Sequence, residues 1–469
     1  MSLTVIKVQD VDFNGFSGNV FSVHSPTQPS GVMIPLDDSK FNSQLTALAT
    51  HTDDLQTDSP VIIEAGAAIN DALEGDINYK GVIDGTLVAQ ALDQQRQVQV
   101  EISYSALDAH NLPWELLVRN NAFIETDKRV PIIRKVAQQK PNVGDFPNNI
   151  IAADVGLKVL SVLAAEGINS TGEFAALEEA INESSLPMSV LILVADHGDI
   201  KNAIEGTQWR EGVQVTCETI PRFKTKLEKR ILDFGPQICH LFCHGISKPD
   251  PSLIIEFFDG NIVLSVSDLA HCLLPTSWLV SLNACSGSQA ATEPDSDTVS
   301  LSYNLAHEGI PFVVGMRKRL PTLSSSRFTR GFLPNVFSKI EEVMAKGEAT
   351  ELDFSQCINT ARGLIIENGE ASVSTLATRS QAWSIPTMTR RWQPFELPGA
   401  VSALTSNQIE KVKSDLRDKL GQIVELKDAI EDYPSAQKAI IQTEIEKLSG
   451  NIRELRLLLS KPAKATNSA

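Results

Sequence analysis

The chain reads as an α/β protein: a mostly parallel sheet with helices on both faces, preceded by a β-rich N-terminal segment and followed by a C-terminal helical hairpin. Three observations predict this. From residue 157 onward, apolar runs of strand length alternate with helical patterns, the signature of parallel strands joined by crossover helices. Residues 1–54 hold only short β-branched runs broken by turn residues. Beyond residue 403, apolar residues recur at helical spacing in two stretches separated by Tyr433-Pro434.

The elements follow in order. Thr4 to Val8, Gly18 to Val23 and Val32 to Pro35 read as short strands, and the polar run 51–60, ending in Pro60, as a linker. Val61 to Glu64 is a short strand; Ala65 to Glu74 and Val82 to Gln95 are helix-compatible. Gln97 to Tyr104 alternates as a strand does, with Val98, Val100 and Ile102 on one side. The run 144–154 reads as a loop. Leu157 to Ala164 and Met188 to Ala195 are nearly continuous apolar runs, expected of strands covered on both faces. Glu173 to Ser184 and Arg222 to Phe234 are helical, Val213 to Ile220 alternates, and Gln237 to Cys243 is a strand. Ser252 to Phe258 and Asn261 to Leu264 form a hairpin turning at Asp259-Gly260. Ser277 to Leu282 and Pro311 to Gly315 are strands; Thr298 to Glu308, Phe328 to Met344 and Phe354 to Glu367 are helices. Residues 387–399 read as a Pro-containing connector to the tail. There, Ile409, Val412, Leu416, Leu420, Ile423 and Ile430 form one stripe. Ile441, Ile445, Leu448, Ile452, Leu455 and Leu459 form a second, spaced 4, 3, 4, 3, 4.

Composition narrows the function classes. Lys plus Arg number 41 against 58 Asp plus Glu, a net charge of −17 that disfavours nonspecific binding to nucleic acid or anionic lipid. Six cysteines in 469 residues, none in a C-x-x-C pair, suit reduced thiols in a cytoplasmic protein. No apolar run reaches 18 residues, so no membrane span is expected; Met1 to Asp12 lacks a leader pattern, and the last residues carry no lipidation motif.

Ligands of an open parallel sheet bind beyond the carboxyl ends of its strands. The residues expected there are Asp196-His197-Gly198, His244-Gly245, Asn283-Ala284-Cys285-Ser286-Gly287 and Met316-Arg317. Cys285 and His244 can make a nucleophile and its base, because a thiol attacks only as thiolate and an imidazole beside it can take the proton. The backbone N–H groups of Gly245 and Cys285 are the candidate oxyanion donors. Asn283 and Asp196 are candidate substrate-binding residues, Asn283 favouring a neutral P1 side chain; for Asp196 the competing and simpler role is to cap the following helix.

Leu241-Phe242-Cys243-His244-Gly245, followed 41 residues from His to Cys by Ser281-Leu282-Asn283-Ala284-Cys285-Ser286-Gly287, resembles the caspase-like cysteine peptidases, and most closely their CHAT branch. Leu112-Pro113-Trp114-Glu115-Leu116-Leu117, Phe312-Val313-Val314-Gly315-Met316-Arg317 and Trp383 are similar to further landmarks of that branch. The resemblance covers roughly residues 60–395. It implies a caspase-hemoglobinase-like fold, a His–Cys dyad, endopeptidase activity without a cofactor, and a regulated role in bacterial antiviral defence or programmed cell death. Relatives that cut after Arg or Lys often carry an acid where Asn283 stands. The division expected is a β-rich segment over 1–54, the N-terminal part of the CHAT-like region over 55–150, the catalytic domain over 151–400 and the antiparallel, coiled-coil-like hairpin over 405–460.

Duller readings compete with each residue. His244 and Cys285, taken singly, suit a satisfied core histidine and an inert buried thiol. Cys239, His240, Cys243 and His244 suggest a metal, but on a strand residues four apart sit ~13 Å from each other at ~3.3 Å per residue, too far to share one ion. No metal is therefore expected. Cys217, Cys272 and Cys357 read as structural thiols, and Trp114 as core packing. The alternatives to a peptidase are a silent caspase-like scaffold and a thiol acyltransferase using the same dyad. The partners expected are a protein substrate and an activating protein, or self-assembly, acting through the N-terminal segment or the C-terminal hairpin.

Overall fold

The computed structural model describes residues 3–10, 20–25, 28–35, 97–103, 114–116, 118–119, 122–123, 130–136, 150–152, 154–164, 170–195, 198–246, 251–257, 260–284, 301–317, 320, 322–368, 384–391, 393–398 and parts of 407–455. The helices expected over 65–74 and 82–95, the strand at 61–64, and the landmark Trp383 lie outside them.

Nearly continuous apolar runs build the middle of the sheet. Strand β8 (Leu157–Ala164) pairs in parallel with β9 (Met188–Val194), which pairs in parallel with the edge strand β10 (Val213–Thr219). On its other side β8 pairs with β11 (Ile238–Ile246), which pairs with β14 (Leu279–Ala284), which pairs with β15 (Phe312–Met316), all parallel. The sheet then continues through β17 (Pro386–Arg391), antiparallel to β15, into β7 (Ile132–Val136) and β4 (Gln97–Ser103). It ends in β1 (Leu3–Asp10), β2 (Val20–Ser25) and β3 (Gln28–Pro35). A hairpin of β12 (Ser252–Phe257) and β13 (Gly260–Ser265) branches from β11, and two short antiparallel pairs, β5 (Val118–Arg119) with β6 (Ala122–Phe123) and β16 (Thr350–Glu351) with β18 (Glu396–Leu397), lie off the sheet. This is the mostly parallel α/β architecture that the alternating pattern predicts.

Strand alternation gives the sheet two cores. One face carries Leu160, Val162, Leu191, Leu193, Cys239, Leu241, Val280 and Leu282. Helices α3 (Lys224–Phe234), α4 (Val266–Leu273) and α5 (Leu301–Glu308) cover it with Leu227, Ile231, Leu269, Cys272 and Leu305. The other face carries Val159, Val190, Ile192, Ile238, Phe242, Phe312 and Val314. It lies under α1 (Thr171–Glu183), α2 (Gly198–Gly206), α6 (Thr322–Ala345) and α7 (Ser355–Asn368). A Cβ on Gly331 would stand 2.8 Å from Ala361 Cα, so only glycine lets α6 approach α7 this closely.

Two elements correct the sequence reading. Residues 387–391, expected as connector, belong to β17 inside the sheet, with Arg390 and Arg391 buried. Residues 266–273, assigned to no element from the sequence, form α4, whose capping box joins Ser265 and Asp268. In the tail, Ile409 and Leu448 are buried together against Ala152, with Val412, Ile441 and Leu455 beside them. Among the described residues no helix is long and apolar enough to cross a membrane.

Candidate active site

Strand β11 is longer than its sheet neighbours need. Its pairing with β8 ends at Cys243↔Ala164 and with β14 at Cys243↔Ala284. The next three residues, His244 to Ile246, pair instead with β12, antiparallel, His244 opposite Ile254. His244 therefore stands where the central strand leaves the sheet at its carboxyl end, the rim where open α/β sheets hold ligands. Its side chain is 24% exposed. Gly245 follows it, opposite Leu253.

Parity decides which side chains accompany it. In a parallel pair, facing residues share a face, and every second residue repeats it. Phe242 faces Asn283, so His240, Phe242 and His244 share a face with Ser281 and Asn283. This is the α1/α6 side of the sheet. Cys239 and Cys243 go to the opposite core. Residues 238–246 are a strand, as read from the sequence, and among the described residues no group of three or more His, Cys, Asp or Glu side chains is gathered as a metal would need.

Below His244 lies a closed polar cluster. Glu173, on α1 and 1% exposed, accepts at Oε1 from the Asn283 amide at 2.8 Å and from the Thr329 hydroxyl, and meets His240 Nε2 there at 2.8 Å. Its Oε2 accepts from the Ser325 hydroxyl at 3.1 Å. The Asn283 amide also donates to Ser325 Oγ at 2.7 Å. Burial alone would raise the Glu173 pKa; hydrogen bonding and charge from His240, with Thr329 and Asn283 as further donors, hold it below the ordinary value. The amide expected to meet a P1 side chain thus faces inward.

Above the cluster, His244 Nε2 lies 3.3 Å from Glu256 Oε2, on β12, whose side chain is 30% exposed. The sequence reading passed over Glu256. Its signal was a lone carboxylate in the otherwise apolar Leu253 to Phe257, on the strand that follows the histidine strand.

Cys285 and Asp196, the expected nucleophile and a pocket residue, lie outside the described residues, as does His197; β14 is described to Ala284. The described cysteines have the character expected of structural thiols. Burial pushes the Cys239 and Cys357 thiols far up, the Cys272 thiol up to about 12, and the half-buried Cys217 thiol up as well. A thiol so shifted carries almost no thiolate at neutral pH.

A second buried cluster ties the 3₁₀ turn Trp114–Leu116 to the sheet end beside β14. Glu115, fully buried, accepts from Arg134 Nε at 3.1 Å and Nη2 at 2.9 and 2.7 Å. Arg362 Nη2 stands 3.8 Å away, and Arg317, directly after β15, is within electrostatic reach. Burial pushes both Arg317 and Arg362 down to about 10, against the pull of Glu115.

Residues 79–362 match the CHAT domain family. No curated protein matches the chain. A solved structure similar to it is that of the Saccharomyces cerevisiae separase–securin complex, at 9% identity and a TM-score of 0.41. The likeness covers 82% of this chain and 30% of that one, so this chain spans less than a third of that protein's length. The family match takes in Trp114-Glu115, the His244 strand, the Asn283-Ala284-Cys285 segment and Arg362, and by it the chain belongs to the CHAT domain family.

Proposed function

We propose that the chain is a CHAT-type, caspase-like cysteine endopeptidase whose dyad is His244 and Cys285. One observation carries the reading: His244 stands, partly exposed, at the carboxyl-end rim of the sheet, one strand from the segment that leads into Cys285. Asn283, two residues before Cys285 in the sequence, shares the His244 face.

The chemistry follows. His244 takes the proton of Cys285; Sγ bonds to the scissile carbonyl carbon, and the oxyanion is met by the N–H groups of Gly245 and Cys285. The C–N bond breaks as the imidazolium returns its proton to the leaving amine. Water then gives a proton to His244 and attacks the thioester, and the carboxylic acid leaves as the thiol is restored. No cofactor enters these steps. Asp196 borders the P1 pocket, while the Asn283 amide, held by Glu173 and Ser325, is turned inward and leaves the P1 preference open. The substrate is a partner protein, and family analogy suggests a regulated effector of bacterial defence or programmed death in the cytoplasm. Residues 1–54 and the hairpin 405–460 are the proposed sites of activation or assembly, flanking the regions 55–150 and 151–400.

The test is labelling with a thiol-reactive peptide ketone, located by mass spectrometry. Labelling at Cys285 that His244→Ala suppresses supports the dyad. Labelling elsewhere, or labelling indifferent to His244→Ala, removes it and favours a silent scaffold.

A further inference from the structure

Strand β11 carries two imidazole–carboxylate pairs on one face, four residues apart. The first, His240 with Glu173, has both side chains 1% exposed and is closed over by α6 through Ser325 and Thr329. The second, His244 with Glu256, is open at the rim, with side chains 24% and 30% exposed. A sealed pair can only hold structure together. An open pair at a ligand-binding rim can also meet a substrate.

We infer that Glu256 is the positioning residue of His244, so that the proposed site works as a Cys–His–Glu arrangement. The inference rests on His244 being the base. An ionised carboxylate only accepts hydrogen bonds, so the imidazole nitrogen facing Glu256 is the one that carries hydrogen. That nitrogen is Nε2. Nδ1 is then the nitrogen with the lone pair, the one offered to the thiol. When His244 takes the thiol proton at Nδ1, the imidazolium keeps Nε2–H directed at Glu256, and the carboxylate offsets the new charge.

The backbone explains why Glu256 is there and held. His244 faces Ile254 across the antiparallel pair, so Glu256, two residues further along β12, is its diagonal neighbour on the same face. Such neighbours lie ~7–8 Å apart at the backbone, within reach of a glutamate meeting an imidazole. The alternate residues Leu253, Ile255 and Phe257 are buried in the opposite core. A turn of β12 about its axis would expose all three, so their packing fixes the face that carries Glu256. The hairpin register, Phe257↔Gly260 through Ser252↔Ser265, fixes its height. The 3.3 Å separation is an ion-pair distance just beyond the usual N–H···O range; catalytic contacts of this kind often tighten once substrate is bound.

The experiment uses the full chain labelled with ¹⁵N-histidine. His244→Gln identifies the His244 signals, and the nitrogen shifts report its tautomer. In parallel, the rate at which iodoacetamide alkylates Cys285 is followed by peptide mass spectrometry, a reading that needs neither substrate nor activator. The wild type is expected to hold Nε2–H. Glu256→Ala is expected to lose that preference and slow alkylation about 10- to 100-fold, the loss seen when the carboxylate that orients a metal-bound imidazole is removed. Glu256→Gln keeps an acceptor oxygen at the same reach and is expected to recover most of the tautomer and part of the rate. Should Glu256→Ala not fold, Glu256→Gln and Glu256→Asp give the same two readings. An unchanged tautomer together with an unchanged rate overturns the inference while leaving His244 as base. A wild-type rate indifferent to His244→Gln overturns the dyad, and the inference with it.

Discussion

Replacing Glu115 by Gln removes one negative charge and almost no volume, so its effect isolates electrostatics. Glu115 is completely buried, and three short contacts from Arg134 converge on its carboxylate, with Arg362 at 3.8 Å and Arg317 in electrostatic reach. Two opposing effects set its pKa. Burial raises it, while Arg134, Arg362 and Arg317 lower it, and the arginines win. Glutamine keeps an acceptor for Arg134 but leaves three buried guanidiniums without the carboxylate among them. Breaking a buried ion pair from one side costs about 3–5 kcal/mol. In a domain of this size each kcal/mol is worth about 2–4 °C, so Tm is expected to fall on the order of 10 °C. Urea unfolding followed by circular dichroism at neutral pH measures the change. A Glu115→Gln protein within about 1 kcal/mol of wild type would refute the reasoning, and would mean that other groups already neutralise these arginines.

Three further outcomes are expected. Gly156→Ala should cost about 3 kcal/mol or more, because φ there is +67° and a Cβ would stand 2.1 Å from Pro187 O at the start of the β8–β9 pair; an unfolding midpoint unchanged from wild type would contradict it. Stability should be level above the ordinary Glu value of 4.5 and fall in more acid solution, since Glu115 and Glu173 both have lowered folded pKa values and their contribution is lost as pH drops through them. Urea midpoints across that range check the sign, and Glu115→Gln should flatten the fall. Leu448→Asp should release the tail from Ala152 and Ile409 and speed amide exchange around 438–455, leaving exchange in β8, β11 and β14 unchanged; tail exchange equal to wild type would refute the packing.

The middle of the sheet was legible because burial on both faces forces apolar runs, and Leu157 to Ala164, Met188 to Val194 and Leu279 to Leu282 carry that signal locally. β17 was not, since Pro386-Thr387-Met388-Thr389-Arg390-Arg391 is polar and is buried by partners distant in sequence. The end of β11 was misjudged for a related reason. Residues 244–246 are strand only because β12 pairs with them, and periodicity within 237–246 holds no trace of it. Glu173 looked like an ordinary charged position near a helix start. Its burial follows from His240, Asn283 and Thr329, which stand 67, 110 and 156 residues away. The helix Val266–Leu273 was missed although Ser265 and Asp268 stand at capping-box spacing, a local signal that marks its start.

Parity along one strand is the step that joins this sequence to its chemistry. In β11 the odd positions 239, 241 and 243 enter the core under α3 and α4, where burial holds the Cys239 thiol protonated. The even positions 240, 242 and 244 face α1 and α6, and the polarity of that face changes along it: a sealed His240–Glu173 pair, an apolar Phe242, then an open His244 beside Glu256. A slip of one residue between β11 and its neighbours would send both histidines into the apolar core and turn Cys239 and Cys243 toward Glu173. Each histidine in that core would cost several kcal/mol unless it found a new partner. The register is therefore held from both faces. The polar cluster that contributes no chemistry of its own, Glu173 with His240, Asn283, Ser325 and Thr329, excludes the alternative pairing and keeps His244 at the rim.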